Sequence, residues 1–157
     1  MSVTLRPMRA DEYPAWAEQG EQGYVQQMVE FGGMEREHAA AKAVRDFAAA
    51  LPEGLETKGH WLYVVEADGQ AVGNLWFAER DLDGGPTAYL YDVQIDEHAR
   101  GHGYGRAAML EFEREAARRG LHHLSLNVFG GNAPARGLYN SLGWAEMAVT
   151  MTKHLGA

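Results

Sequence analysis

The chain has no cysteine among its 157 residues. That excludes disulfides, a thiolate nucleophile and any zinc site built on cysteine, and it makes a cytoplasmic setting the default expectation. No apolar run approaches about 20 residues, so no segment reads as a membrane span. The first residues, Met1-Ser2-Val3-Thr4-Leu5-Arg6, lack the basic-then-apolar layout of a secretory leader. Positive charge is scarce: 14 Lys and Arg against 22 Asp and Glu leave a formal net charge of −8. That is the wrong sign for non-specific binding to nucleic acid. It suits a cationic substrate such as an amine, although an acidic surface serves solubility equally well. Two familiar phosphate motifs are also missing. Counted from Gly101, the dinucleotide pattern G-x-G-x-x-G would need glycine where Arg106 stands, and no Gly-Lys-Ser/Thr run exists.

The composition is that of a globular domain, 46% apolar and 23% charged. The length suits one domain over residues 1–157 with one core. Residues 3–6 read as a strand stopped by Pro7, and Asp11 can cap a helix running to about Gln19. Gly20, Gly23, Gly32 and Gly33 predict short or kinked helices in the following stretch. Residues 36–50 read as a helix with Ala40, Val44, Phe47 and Leu51 on one stripe, ended by Pro52 and Gly54. Strands at 61–66 and 70–79 flank Asp68-Gly69, a hairpin signal. A turn at Asp83-Gly84-Gly85-Pro86 leads to a strand over 89–95. A helix over about 103–119 turns Ala108, Met109, Phe112 and Ala116 inward and ends on Gly120. A strand over 124–129, a helix over 132–141 closed by Gly143, and a last strand over 144–153 complete the order β-α-α-β-β-β-α-β-α-β.

Chemistry concentrates where the strand over 89–95 meets the run Arg100-Gly101-His102-Gly103-Tyr104-Gly105-Arg106. Glycines between a strand and a helix start bare the backbone, so that N–H groups converge on an anion at the positive helix end. Taken alone, the run is also consistent with an αL turn before an ordinary helix. Its pattern, R-x-x-G-x-G at Arg100, Gly103 and Gly105, resembles the pyrophosphate loop of the GNAT superfamily of acetyl-CoA-dependent N-acetyltransferases. A second stretch, Asn132-Ala133-Pro134-Ala135-Arg136-Gly137-Leu138-Tyr139-Asn140-Ser141-Leu142-Gly143-Trp144, resembles that family's N-x-x-A-x-x-L-Y-x-x-x-G-F, with Trp144 in place of phenylalanine. The two motifs stand in the family's order, each behind a strand. The resemblance covers about residues 62–151; the first fifty, where acceptor pockets are shaped, match only in general layout.

The resemblance implies an α/β (α+β) fold: a mixed, mostly antiparallel sheet flanked by helices and splayed apart between the parallel strands 89–95 and 124–129. Acetyl-CoA as cosubstrate would enter the gap, its pantetheine arm bonding to the backbone of Val93 and Ile95, where splaying leaves unpaired N–H and C=O groups. Backbone N–H groups of Gly101, His102, Gly103, Tyr104, Gly105 and Arg106 would hold the pyrophosphate, each charge-assisted bond contributing roughly 1.5–3 kcal/mol. Arg100 would brace the loop or reach a phosphate, unless it only forms a surface ion pair. Asn132 would touch the pantetheine arm, which is compatible with its reading as a helix cap.

Acetyl transfer to an amine needs a neutral nucleophile and a protonated leaving thiolate. A free alkylamine of pKa about 10.4 is neutral in only about one molecule in a thousand at pH 7, a deficit of about 4 kcal/mol. By resemblance Tyr139 is the general acid for the thiolate; by spacing alone it reads equally as a core tyrosine. Tyr89 and Asn127 fall where relatives carry a glutamate base, so no carboxylate stands at either place. Tyr89 and Tyr91 share a strand face and would order a water relay. Alternation turns Asp92 to the opposite face, and Glu30 is a weaker alternative in the acceptor segment. The Ile95 N–H is the oxyanion donor by resemblance. Adjacent His122 and His123 cannot chelate one ion from a strand, and no metal is expected.

The expected activity is direct transfer of acetyl from acetyl-CoA to a primary amine, in a small molecule or peptide, within a ternary complex. The alternative is a non-catalytic acyl-CoA-binding sensor or degenerate subunit; an O-acetyl or longer-acyl transferase is a third. No nucleic acid or membrane partner is expected. Homodimers are common in the family, which leaves a homodimer open here.

Overall fold

Asp68 and Gly69 both take positive φ, 51° and 83°, the pairing a type I′ hairpin turn requires. They join β2 (His60–Ala67) to β3 (Gln70–Leu82). In this computed structural model, residues 2–82 and 84–156 are described. Asp83, expected in the next turn, lies outside them. The remaining elements are β1 (Val3–Pro7), α1 (Tyr13–Glu30), α2 (Arg36–Ala50), β4 (Gly85–Ile95), α3 (Tyr104–Arg118), β5 (Leu124–Leu126) and α4 (Ala133–Ser141). The sheet runs β1-β2-β3-β4-β5. Its first three pairings are antiparallel and β4–β5 is parallel. The expected α/β class and mostly antiparallel mixed sheet are those observed.

One core lies between the sheet and α3. Val65, Leu75, Phe77, Ala88 and Leu90 meet Ala108, Met109, Phe112 and Ala116, all buried; each large side chain there contributes about 1.5–3 kcal/mol. The inward stripe of α3 is the one its sequence predicts. The helix ends as expected too: Gly120 takes φ 79°, its N–H donates to Ala117 O at 3.0 Å and Leu121 N–H to Ala116 O at 2.9 Å, a Schellman closure. On the other sheet face Trp16, Leu51, Leu62, Val64 and Trp76 pack under α1 and α2.

Four expectations need correction. Residues 13–30 form one helix, not short pieces. Its glycines serve packing: a Cβ on Gly20 would meet the Phe47 ring at 3.3 Å. Asp11 does not cap it. Glu12 is the N-cap residue and makes no capping bond, because its carboxylate accepts from Arg6 and the Arg9 N–H instead. On α2 the buried stripe is Ala39 and Ala43, while Val44 is exposed; the small alanines allow close approach to α1. The strand expected at 144–153 does not form, and β5 stops at Leu126. A strand exists only against a partner, and β4 and β5 have diverged by that point.

Candidate active site

The β4–β5 ladder holds only three pairs, Ala88↔Leu124, Tyr89↔Ser125 and Leu90↔Leu126. Beyond Leu90, β4 continues alone to Ile95 on that side. On its other side it stays paired with β3, and Asp96 N–H donates to Val72 O at 2.8 Å. Successive residues direct their N–H and C=O to alternate edges, so with Asp96 turned to β3, Val93 and Ile95 turn to the open edge. Both are partly buried against the core. The Ile95 carbonyl accepts from Arg100 Nε at 3.0 Å, so the Arg100 side chain braces the loop onto the strand it leaves. The Ile95 N–H stays on the open edge.

The loop then delivers α3. Gly101 and Gly103 have φ 82° and 79°, a backbone that side-chain-bearing residues rarely adopt. Gly103 is the N-cap residue of α3 and has no side-chain cap. The N–H groups of Gly103, Tyr104, Gly105 and Arg106 therefore have no acceptor within the helix, and they stand at its positive end. His102 holds the loop from behind: Nδ1 lies 3.1 and 3.0 Å from the carbonyls of Ala99 and Arg100, and the ring stacks on Tyr104. Arg106 donates to Ser141 Oγ at 2.6 Å, tying α3 to α4. A helix end so bared could hold a diphosphate.

Across the gap, Asn132 caps α4 by accepting from Ala135 N–H at 3.3 Å. The helix closes at Gly143 (φ 92°), with Trp144 N–H donating to Tyr139 O at 3.0 Å. Tyr139 is half-buried between the core and Trp144. Burial, and then the charge of Asp92, push its hydroxyl pKa up, so the hydroxyl keeps its proton at neutral pH.

Asp92 is the residue that sequence reasoning misplaced. The β3–β4 register slips between Trp76 and Phe77: Trp76 faces Asp92, but Phe77 faces Leu90. Tyr91 is the extra residue of a bulge. Opposed residues share a face, so Asp92 lies with Trp76, and Tyr89 lies with Ala78 on that same face. The Tyr91 ring joins them, stacked on Trp76 at 4.3 Å and 4.8 Å from Tyr89. The expected opposition of Asp92 to the two tyrosines fails because a bulge breaks the two-residue period. Burial pushes the Asp92 carboxyl up to about 6. An aspartate inside the apolar run of β4 was the one available signal.

The remaining candidates are dispersed. Burial pushes the pKa of Tyr89 up, and Arg80 lies 4.8 Å over its ring. Glu30 is exposed at the end of α1. His122 and His123 are exposed in the loop before β5. Among the described residues no three His, Asp or Glu side chains gather as metal ligands would, and no helix is long and apolar enough to cross a membrane.

The model of the acetyltransferase (GNAT) family matches residues 15–144. The chain belongs to that family. As a GNAT acetyltransferase it carries the fold and both motifs read from the sequence, and it is of the acetyl-CoA-dependent N-acetyltransferase type. It is 32% identical to YycN, an uncharacterized N-acetyltransferase of Bacillus subtilis, over 99% of this chain and 100% of that one. The crystal structure of YycN superposes with a TM-score of 0.93 at 31% identity, covering 99% and 100% of the two chains. A more distant structure, the aminoglycoside N-acetyltransferase AAC(6′)-Iy in complex with CoA, shares the fold at TM-score 0.60 and 16% identity, covering 99% of this chain and 96% of that one.

Proposed function

We propose that this GNAT acetyltransferase moves acetyl directly from acetyl-CoA to a primary amine in a ternary complex, with Asp92 as base and Tyr139 as acid. The observation that supports the reading is that the charge of Asp92 is felt by the Tyr139 hydroxyl, beside a strand whose ladder to β5 ends at Leu90. The amides from Gly101 to Arg106 bind the diphosphate. Val93 and Ile95 extend the sheet edge onto the pantetheine arm, and the Ile95 N–H steadies the developing oxyanion. Asn132, at the start of α4, flanks the arm.

The amine nitrogen attacks the thioester carbonyl and the C–S bond breaks. The proton lost from nitrogen passes to Asp92, directly or through water ordered by Tyr89 and Tyr91. Tyr139 gives its proton to the departing sulfur and regains one from solvent, to which Asp92 returns its own. A carboxyl pushed up to about 6 is mostly ionised at pH 7 yet basic enough to accept, the compromise general-base catalysis favours. A carboxylate there weighs against a degenerate, non-catalytic subunit, the reading that missing carboxylates favour.

The test is release of free thiol from acetyl-CoA across a broad panel of amines in small molecules and peptides. Amine-dependent release is the expected result. Tight CoA binding with no release under any amine would sink the proposal in favour of a binding module. Direct transfer further requires that no acetylated protein accumulates when the amine is withheld.

A further inference from the structure

The sheet face under α1 and α2 carries two hydrogen-bond donors that the acetyl-transfer steps leave idle. His60 opposes Ala78 across β2 and β3, and Ala78 opposes Tyr89 across β3 and β4. The three stand in one row on one face, and alternation along β3 puts Trp76 and Arg80 on that face too. The Arg80 guanidinium lies 4.8 Å over the Tyr89 ring, so it folds back over the row instead of following its strand outward. At the other end of the row the His60 ring lies 5.5 Å from Tyr91 and 6.0 Å from Trp76. The result is a corner walled by aromatic rings. It lies one row from Asp92, which opposes Trp76.

The first donor is fixed by its neighbour. An indole N–H can only donate, and that of Trp76 donates to His60 Nδ1 at 3.0 Å. The neutral imidazole therefore carries its proton on Nε2. Burial, and then the charge of Arg80, push the His60 pKa down, so this neutral form holds at pH 7. Among the described residues Nε2 has no partner, and no unpartnered side-chain nitrogen in a buried or half-buried residue is sealed from solvent, so this N–H is open. The second donor is Arg80 itself, which forms no ion pair among the described residues. Asp46 on α2 is already taken up by Lys42 and Tyr24.

We propose that Arg80 and the His60 Nε2–H bind an anionic oxygen group of the acceptor, a carboxylate or a phosphate, so that the substrate is an amine with an anion at its far end. Both groups offer only donors, and the planar guanidinium fork matches such oxygens two at a time. A second ammonium on the acceptor would instead meet Arg80 as a like charge. The inference rests on the acetyl-transfer reading for one point, that the amine sits at Asp92. From the row of Asp92 to the row of Tyr89 is two residues of β3, about 7 Å. That is about five bonds of extended chain, a span that an α-amino acid is too short to bridge.

The test compares acceptors of matched length by thiol release: δ-aminovalerate, aminobutyl phosphate, n-pentylamine and cadaverine. At least one of the two anionic amines is expected to exceed n-pentylamine and cadaverine in kcat/KM by about tenfold or more, and the faster of them names the anion. Arg80→Gln should erase that preference through KM, and Arg80→Lys, which keeps the charge, should restore part of it. Cadaverine or n-pentylamine outrunning both anionic amines overturns the proposal. So does an Arg80→Gln variant that keeps the preference, or one that slows every amine alike. Binding is read separately, by NMR on the CoA-loaded protein. Titration with the anionic amines should shift the Trp76 indole N–H and His60 ring resonances, and Arg80→Gln should weaken that response by about tenfold or more. Shifts without thiol release from any amine uphold the anion corner and reject acetyl transfer. No shift with either anionic amine rejects the corner, whatever the chain transfers.

Discussion

Replacing Asp92 by asparagine separates a catalytic carboxylate from one that merely fills the sheet face. In the folded chain the group titrates at about 6, against an ordinary 3.8, because burial disfavours its charged form. The native state therefore holds the proton more tightly than the unfolded chain does. Stability is greatest with Asp92 protonated, below pH 3.8, and falls as pH rises through the window from 3.8 to about 6. A shift of roughly two units corresponds to about 3 kcal/mol at neutral pH. A neutral amide at this position carries no such penalty, so Asp92→Asn is expected to stabilise the fold at pH 7 by up to about 3 kcal/mol, with no gain at pH 3. Urea denaturation at the two pH values measures this. Activity should move the other way. Loss of a general base lowers kcat/KM by about 10²–10⁴, and the acid limb of the pH–rate profile near pH 6 should disappear. Asp92→Glu should restore part of the rate and the limb together. A variant that keeps the parent's rate and its acid limb refutes the base. One that is not stabilised at neutral pH refutes the burial argument.

Further perturbations address other parts of the structure. Tyr139→Phe should reduce turnover by about 10²–10⁴ with little change in CoA affinity by calorimetry; unchanged turnover removes Tyr139 as the acid. Gly103→Val places a branched side chain at φ 79°, over the bared amides, and should abolish heat on CoA titration while circular dichroism shows a folded chain. Gly73→Ala would set a Cβ 2.2 Å from the Gln94 carbonyl oxygen; overpacking of this kind costs about 1–3 kcal/mol, read as a lowered Tm, and an unshifted Tm would contradict the close approach of β3 and β4. Arg6 and the Arg9 N–H hold the Glu12 carboxyl down to about 2. Its contribution is thus present above pH 4.5 and lost as pH falls through about 2. Because both side chains keep contact with solvent, Glu12→Gln should cost about 1 kcal/mol at pH 7, with parent and variant converging in acid.

Reading the residues in order recovered the elements whose signal is local. The Asp68-Gly69 hairpin, the inward stripe of α3, the Asn132 cap and the closures at Gly120 and Gly143 depend on φ preferences and periodicities a few residues long. The chain shows these before it folds. The glycine run before α3 was legible for the same reason, since absent side chains are written in the sequence. Single helices fared worse where packing decides: Gly20 looks like a break until Phe47 is seen to press against it.

The residue series by itself determined the family's two motifs, the order of elements through α4, and the bare, uncapped start of α3, because backbone conformation and helix polarity follow from residue type nearby. Only tertiary structure decided where Asp92 points and that residues 144–153 form no strand. A bulge arises from pairing between β3 and β4, and it reverses every later side chain of a strand although the two-residue period of the sequence runs on unbroken. A strand likewise has no existence apart from the edge that completes its hydrogen bonds, and residues 144–153 pair with none of the five strands.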